Sequence, residues 1–221
     1  MSAPYDPYNP LAIQSIADSL VRELLEQDCE ALPPSARFNG AGVYVIYYRG
    51  SFPEYAPIAK RNQDTCDAPI YIGKAVPRGG RTGVHVDTGA QSQSLYGRLN
   101  EHAESIRTAI NLDLADFRCR YRVIEELFIE LAERTLIQRF KPLWNAFLGG
   151  FGNHDPGSGR YNGKRSGWDE VHQGRPWAER LRPSDKPPEV WRAEVSAYLA
   201  RWERGQVEQV TLVDDGSGGE G

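Results

Sequence analysis

Two short apolar runs restrict the fold of this chain more than any other feature. Residues 42–48 read GVYVIYY and residues 69–75 read PIYIGKA. Between 43 and 48 both faces of the run are apolar, whereas a half-exposed strand alternates apolar and polar side chains. We therefore expect strands at 43–48 and 70–72, buried in a sheet that is covered on both sides.

Helical patterns surround these strands. Apolar side chains recur at three- and four-residue intervals, the spacing of an amphipathic helix. Four helices are predicted, at residues 11–26, 94–110, 126–140 and 189–203. Residues 117–123 alternate apolar side chains with arginines, which predicts a half-buried strand with a basic outer face. Pro142 ends the third helix, because proline cannot donate the next helical hydrogen bond.

The charge of the chain is unevenly distributed. Its net charge is −4, but residues 1–32 carry one basic and six acidic side chains, and residues 183–221 carry four and eight. Residues 33–182 therefore hold 21 basic and 16 acidic side chains, a net charge of +5. The middle of the chain is the part suited to a polyanion.

Composition excludes several classes of protein. No stretch approaches the ~20 apolar residues of a membrane span, and the N-terminus lacks the pattern of a signal peptide, so we expect a cytoplasmic protein. Cys29, Cys66 and Cys119 lie far apart without CxxC spacing and are expected to be reduced thiols. The four histidines form no metal-binding cluster, so any metal should be a hard cation held by carboxylate.

Arg98 and His102 are the first candidates for chemistry. They lie four residues apart on a predicted helix and so share one face. For an arbitrary pair of this kind, the favoured interpretation is a solvated pair on an exposed face.

Glu133 is harder to explain as a surface charge, because it falls on the apolar side of the helix predicted at 126–140. A carboxylate on a buried face is costly unless it is paired or binds a metal. Two roles remain open: a salt bridge, for example with Arg98, or a ligand of Mg²⁺, which prefers hard oxygen donors. Three other glutamates are interpreted as solvated charges: Glu125, Glu126 and Glu130.

These residues form an ordered set along the chain. Its members are Gly42-Val43-Tyr44, Tyr71-Ile72-Gly73, Arg98, His102, Glu133 and Asn145. The set strongly resembles the GIY-YIG nuclease superfamily over roughly residues 37–182. The resemblance implies an α+β fold with a small mixed or antiparallel central sheet, flanked by helices. The resemblance also implies inserted DNA-binding loops, together with helical extensions at the N- and C-termini.

Further segments narrow the resemblance. RFNGAGVYVIYY, PIYIGKAVP, FKPLWN, GFGNHDPGSGR and WDEVHQGRPWAE are similar to the type II restriction endonucleases of that superfamily, in the branch that cuts the palindrome CCGCGG. One departure is the 26-residue separation between Tyr44 and Tyr71, which exceeds the usual interval. The excess is a polar insertion at 49–68, a candidate DNA contact or dimer surface.

The resemblance implies a role for each site residue. Glu133 would hold one Mg²⁺ per active site, with Mn²⁺ as a substitute, and Arg98 would neutralise charge on the phosphate. Tyr44 would act as general base or position the water, although a tyrosine pKa near ~10 makes it a poor base without nearby cations. His102 would accept a proton from Tyr44 or directly from water. The remaining roles are phosphate or water binding by Tyr71, positive charge from Lys74, and a supporting, phosphate-binding or chain-capping role for Asn145.

The resemblance also divides the chain. Residues 1–36 form an N-terminal helical extension, 37–148 the nuclease core, 149–182 a glycine-rich, aromatic and basic DNA-contacting segment, and 183–221 a C-terminal helix with a disordered acidic tail. Guanine is read most often by Arg or Lys. The candidate DNA-binding residues are Arg160, Lys164, Arg165, Arg175, Arg78 and Arg81, each of them more often a phosphate contact or a surface charge than a base contact.

A palindromic target with one site per chain implies a homodimer on double-stranded DNA. A restriction system also implies a cognate DNA methyltransferase that is encoded separately. Two alternatives remain: a homing or repair nuclease, for which no additional DNA-binding domain is visible, and an inactive DNA-binding module of the same fold. The second would have lost Glu133 or Arg98, and both are present.

Overall fold

The structure, a computed structural model, describes residues 13–77 and 92–207. In this part of the chain four strands form one sheet: β1 (Glu30–Ala31), β2 (Gly42–Tyr48), β3 (Pro69–Ala75) and β4 (Phe117–Val123). Their spatial order is β1-β4-β2-β3, and every neighbouring pair is antiparallel. The α+β prediction is confirmed, and the sheet is antiparallel rather than mixed.

The described helices cover both faces and the ends of this sheet. They are α1 (Ile13–Leu25), α2 (Ala56–Arg61), α3 (Ser94–Thr108), α4 (Glu126–Phe140), α5 (Leu143–Ala146), α6 (Gly167–Val171) and α7 (Pro188–Glu203). The four long helices match the predicted ones, and α4 has the predicted bounds. The residue that follows it, Lys141, caps the helix with φ 49° and so turns the chain before Pro142.

The two faces of β2 explain why its sequence is apolar throughout. Tyr44, Ile46 and Tyr48 point into the larger part of the core, which includes α3 and α5. Val43, Val45 and Tyr47 point into a second cluster, built with α1 and α4. All seven residues of β2 are buried, so the predicted strand covered on both sides is confirmed.

The insertion at 49–68 is part of the core rather than a surface appendage. Phe52, Tyr55 and Ile58 are buried in the larger cluster. The Tyr55 hydroxyl lies 2.5 Å from Nε2 of His172 and accepts from Nε1 of Trp144 at 3.1 Å. The insertion is therefore joined to the segment at 149–182 through a buried polar network.

The outer face of β4 also differs from the expectation of an exposed basic surface. Arg120 donates to the carbonyl oxygens of Gln27 and Cys66, each at 2.8 Å, and its guanidinium lies over the Tyr47 ring. The chain after α1 and the turn before β3 thus cover this arginine. Tertiary contacts therefore half-bury this part of the basic face of β4.

The expectation of three reduced thiols is corrected. Cys29 and Cys66 form a disulfide with a Cα–Cα distance of 6.5 Å, whereas Cys119 is free and buried. The bond links the end of α1 to the turn before β3 across 37 residues of sequence. Sequence spacing gave no signal for this pair, because only the folded sheet brings those two segments together.

Some sequence predictions lie outside the described residues. They concern Arg78, Arg81, the first twelve residues and the acidic tail at 208–221. Among residues 13–77 and 92–207, no helix combines the length and the apolar character that crossing a membrane requires.

Candidate active site

Tyr44 and His102 meet in the core beside the sheet. Tyr44 lies on β2 and His102 on α3, and the hydroxyl of Tyr44 is 2.5 Å from Nε2 of His102. Both side chains are buried. Burial lowers the pKa of His102 well below its ordinary value, and the positive charges of Arg98 and Arg175 lower it further. His102 is therefore neutral at pH 7, and one of its ring nitrogens can accept a hydrogen bond.

The register of the two motif strands requires glycine at two positions. Tyr44 of β2 pairs with Gly73 of β3, and its ring lies over that residue. A Cβ at position 73 would overlap the Tyr44 hydroxyl and lie 2.5 Å from Cζ of the ring. A Cβ at position 42 would overlap the carbonyl oxygen of Arg122 and lie 3.0 Å from its carbonyl carbon. The motif glycines thus make room for the Tyr44 side chain and for the neighbouring strand.

Tyr71 packs against the same histidine. Its ring centroid lies 5.2 Å from that of His102 and 6.2 Å from that of Tyr44. Phe151 stacks on His102 at 4.6 Å and contacts Tyr71 edge to face. Phe151 was not among the sequence candidates, yet it fixes the imidazole plane from the segment at 149–182.

Arg98 lies on α3, beside Tyr44 of β2 and Tyr71 of β3. Its Nη2 donates to the carbonyl oxygen of Gly152 at 2.9 Å, and its Nη1 contacts Glu101 at 3.0 Å and Nε2 of His154. Burial alone lowers the pKa of Arg98, but the oxygens of Tyr44, Tyr71 and Glu101 outweigh it and raise the pKa above its ordinary value. The guanidinium therefore stays charged next to the Tyr44 hydroxyl.

Glu133 lies on α4, beside the edge strand β3. Its Oε2 is 2.9 Å from Nζ of Lys74 on β3, and its side chain is 16 % exposed. The same ammonium group contacts Glu130. Of the two roles left open by sequence, the salt bridge is present, but with Lys74 in place of Arg98. Glu130 is exposed, as its interpretation as a solvated charge predicts, and it also contacts the ammonium group of Lys74.

Asn145 on α5 supports β3 from its outer edge. Its Oδ1 accepts from the Ile72 amide and its Nδ2 donates to the Ile72 carbonyl, each at 2.8 Å. Ile72 stands between Tyr71 and Gly73, so both ends of the Asn145 amide secure the strand that carries these residues. The contacts give Asn145 a supporting role rather than a chain-capping one.

The candidate DNA-binding residues at 149–182 lie in different environments. Arg160 is exposed. Lys164 is exposed and pairs with Asp185. Arg165 donates to the Ala178 carbonyl at 3.1 Å and is partly exposed.

Arg175 departs from the sequence expectation. It is 2 % exposed, donates to the carbonyl oxygens of Gly150, Phe151 and Asn153, and lies over the Trp168 ring. Its expected role as a DNA contact is corrected for this fold, because its guanidinium is committed to the packing of the segment. The arginine in HQGRPW resembled a surface charge because single-sequence patterns do not reveal burial in a loop.

Few side chains in the described residues could hold a divalent cation. In the described residues no three His, Cys, Asp or Glu side chains form a metal-binding group. Mg²⁺ commonly takes only one or two carboxylates and completes its shell with water and phosphate oxygens. The partly exposed Glu133 carboxylate, with Glu130 one turn away, fits that requirement.

A family comparison agrees with this geometry. The family model described as Eco29kI GIY-YIG domain matches residues 36–199, well over half of the chain. No curated protein matches. The matched span contains both tyrosine motifs, Arg98, His102, Glu133 and Asn145. The chain therefore belongs to the Eco29kI GIY-YIG family of restriction endonucleases and is a nuclease of that family.

Proposed function

We propose that this nuclease is a Mg²⁺-dependent type II restriction endonuclease that cuts double-stranded DNA at a GC-rich palindrome, CCGCGG. The observation that carries the proposal is the pairing of Tyr44 with neutral His102 beside the charged Arg98. Glu133 contacts Lys74 of β3, the strand that also carries Tyr71. Phosphodiester hydrolysis needs a group that orients water and removes its proton, together with positive charge at the phosphate. Each need has a residue of suitable chemistry.

Tyr44 and His102 act together on the attacking water. Tyr44 orients the water through its hydroxyl oxygen and passes its own proton to His102 as it takes one from the water. Arg98 stabilises the negative charge that develops on the Tyr44 oxygen during this transfer. His102 acts from behind Tyr44, because Phe151 stacks on its ring and its Nε2 already contacts the hydroxyl.

Arg98, Tyr71 and Lys74 receive the scissile phosphate. Arg98 exchanges its contacts with His154 and the Gly152 carbonyl for phosphate oxygens, to which a guanidinium can donate two parallel hydrogen bonds. Glu133 would hold Mg²⁺, which would supply Lewis-acid stabilisation of the phosphate and of the leaving oxygen. Mn²⁺, another oxygen-preferring cation, is the expected substitute.

Recognition of the target requires groups outside the catalytic cluster. Arg160, Lys164 and Arg165 remain candidates in the described chain, because they are at least partly exposed. A palindrome cut on both strands requires two copies related by a two-fold axis, so we propose a homodimer. Protection of host DNA requires a separately encoded methyltransferase of the same specificity, and both enzymes would act in the cytoplasm, where foreign DNA is met.

Digestion of unmethylated plasmid DNA tests this proposal. The purified protein is incubated with and without Mg²⁺, and the ends of the products are sequenced. We expect discrete fragments that end within CCGCGG and form only with the metal. Discrete ends at another sequence would overturn the specificity and keep the chemistry, whereas binding without cleavage in Mg²⁺ or Mn²⁺ would overturn the nuclease mechanism.

Glu133→Ala should abolish cleavage and leave specific DNA binding largely intact. The matched control is Glu126→Ala on the same helix, an exposed glutamate that should retain cleavage. Mg²⁺-dependent cutting by Glu133→Ala would remove this residue from the site.

A further inference from the structure

Lys74 makes two contacts that conflict once a cation occupies the site. Its Nζ lies 2.9 Å from Oε2 of Glu133 and also contacts Oε2 of Glu130. The side chains of Lys74, Glu130 and Glu133 are 30 %, 62 % and 16 % exposed. The ammonium group thus occupies the carboxylate that the proposed function assigns to a divalent cation.

An ammonium group and a divalent cation compete for one carboxylate. Both are positive, so they repel each other strongly at the short distances that a shared carboxylate imposes. Lys74 cannot leave the area, because its backbone belongs to β3, where it follows Gly73 and pairs with Val43. Only its side chain can adjust when a cation binds to Glu133.

Glu130 provides the alternative position for this side chain. It lies three residues before Glu133, on the same side of α4, and it is the more exposed of the two carboxylates. Its contact with Lys74 is a poor explanation for stability, because exposed ion pairs contribute little. A role in directing the ammonium group accounts better for one lysine between two carboxylates.

We propose that Glu130 is a positioning residue that draws Lys74 off Glu133 when a divalent cation binds, and that it keeps the ammonium group beside the phosphate site. The inference rests on the proposed metal role of Glu133. Without Glu130, the ammonium group of Lys74 is attracted to Glu133 alone. Lys74 then competes directly with the cation for the Glu133 carboxylate. Glu130 therefore strengthens cation binding without itself being a ligand.

Mn²⁺ binding to the DNA-free protein, followed by electron paramagnetic resonance, tests the proposal without any use of activity. Glu130→Gln should weaken Mn²⁺ binding by roughly tenfold, the scale on which groups that orient a ligand affect metal affinity. Glu126→Gln is the matched control, since it removes one negative charge from the same helix one turn earlier. We expect this control to bind Mn²⁺ like the unmodified protein.

Lys74→Met decides whether Glu130 acts through the lysine. Removal of the competing ammonium group should tighten Mn²⁺ binding, and Glu130→Gln should then have no further effect in the double variant. A loss that persists in the Lys74→Met background would overturn the proposal, because Glu130 would then act on the metal directly. Equal binding by Glu130→Gln and Glu126→Gln would also overturn it.

Glu133→Ala separates this inference from the proposed function. If Glu133→Ala loses Mn²⁺ binding while Glu130→Gln binds normally, the role of Glu130 fails and the metal role of Glu133 stands. If Glu133→Ala binds Mn²⁺ as well as the unmodified protein does, the metal assignment itself fails, and the inference falls with it.

Discussion

At the scale of single residues, the two tyrosine motifs are explained by close approach rather than by backbone flexibility. Gly73 lies in a regular strand, and its missing Cβ leaves the space that the Tyr44 hydroxyl occupies. The position of this hydroxyl in turn fixes its contact with His102. The addition of a single methyl group at position 73 is therefore a test of the contact between Tyr44 and His102.

Gly73→Ala should reduce cleavage strongly, because the new Cβ displaces the Tyr44 ring from His102. Overpacking of a buried site costs about 1–3 kcal/mol, so the variant should fold with reduced stability. The measurements are the cleavage rate and the urea unfolding midpoint.

Gly97→Ala is the matched control for this variant. In the described structure a Cβ at position 97 meets no atom within 4 Å, although the residue lies one position before Arg98. Alanine within a helix is about 0.5–1 kcal/mol more favourable than glycine. The control should therefore be slightly more stable and should cleave normally, and a loss of cleavage in both variants would contradict the steric explanation.

His102 should give the cleavage rate an unusual dependence on pH. An ordinary histidine base loses activity below about pH 6.5, because it becomes protonated. Burial and the Arg98 charge lower the pKa of His102 well below that value, so its neutral, accepting form persists as the pH falls. We expect no loss of initial rate centred near pH 6.5 at saturating Mg²⁺. An acidic limb with that midpoint, absent in His102→Asn, would show that His102 titrates normally.

The sequence indicated which residues of the candidate site lie together better than it indicated their partners. Tyr44, Tyr71, Arg98 and His102 could be placed together because ordered motifs on strands and a helix survive as a pattern along the chain. The pairing of Lys74 with Glu130 could not be predicted, because it depends on how α4 lies against β3. The burial of Arg175 depends in the same way on loop packing that leaves no periodic signal.

At the scale of elements, β3 carries much of the site at the edge of the sheet. Among the strands of residues 13–77 and 92–207 it pairs only with β2, and on its other side Asn145 from α5 bonds to both main-chain groups of Ile72. Strand periodicity predicts β3 itself. It does not predict which side chain completes its open edge.

Asn145→Ala should loosen β3 and slow cleavage, because Ile72 loses both partners. Each lost hydrogen bond should destabilise the protein by about 1 kcal/mol. Hydrogen exchange of the Ile72 amide is the direct measurement, and it should accelerate.

The control for this variant is Asn100→Ala, whose amide bonds only to the Tyr96 carbonyl within α3. It should leave Ile72 exchange unchanged. Unaltered Ile72 exchange in Asn145→Ala would show that α5 secures the strand by other contacts.

At the scale of the whole molecule, a buried polar network connects distant parts of the chain. Nδ1 of His172 donates to Oδ1 of Asn111 at 2.8 Å, since Nδ2 of Asn111 donates to the Val171 carbonyl. Nε2 of His172 is then free to accept from the Tyr55 hydroxyl at 2.5 Å. The network joins the insertion, the loop after α3 and the segment at 149–182, which the sequence presents as separate regions.

This network should make stability sensitive to acid. Burial lowers the pKa of His172 to about 3, whereas an unfolded histidine titrates near ~6.5. Between these values only the unfolded chain binds the proton, so stability falls as the pH decreases, by up to about 1.4 kcal/mol per pH unit. Urea unfolding midpoints between about pH 5 and 7.5 should show this slope.

His172→Gln should flatten the slope, although it lowers stability at every pH because hydrogen bonds are lost. An unchanged slope in this variant would assign the acid sensitivity to other groups, of which the buried His102 is the foremost.

The position of Asn145 has a consequence for the behaviour of the protein in solution. An unpaired outer strand offers its main-chain groups to a strand from another copy, and such addition is a common route to aggregation. In this molecule the side-chain amide of Asn145 occupies the donor and acceptor of Ile72, the middle residue of the YIG motif. The residue that steadies β3 therefore also protects that edge against self-association.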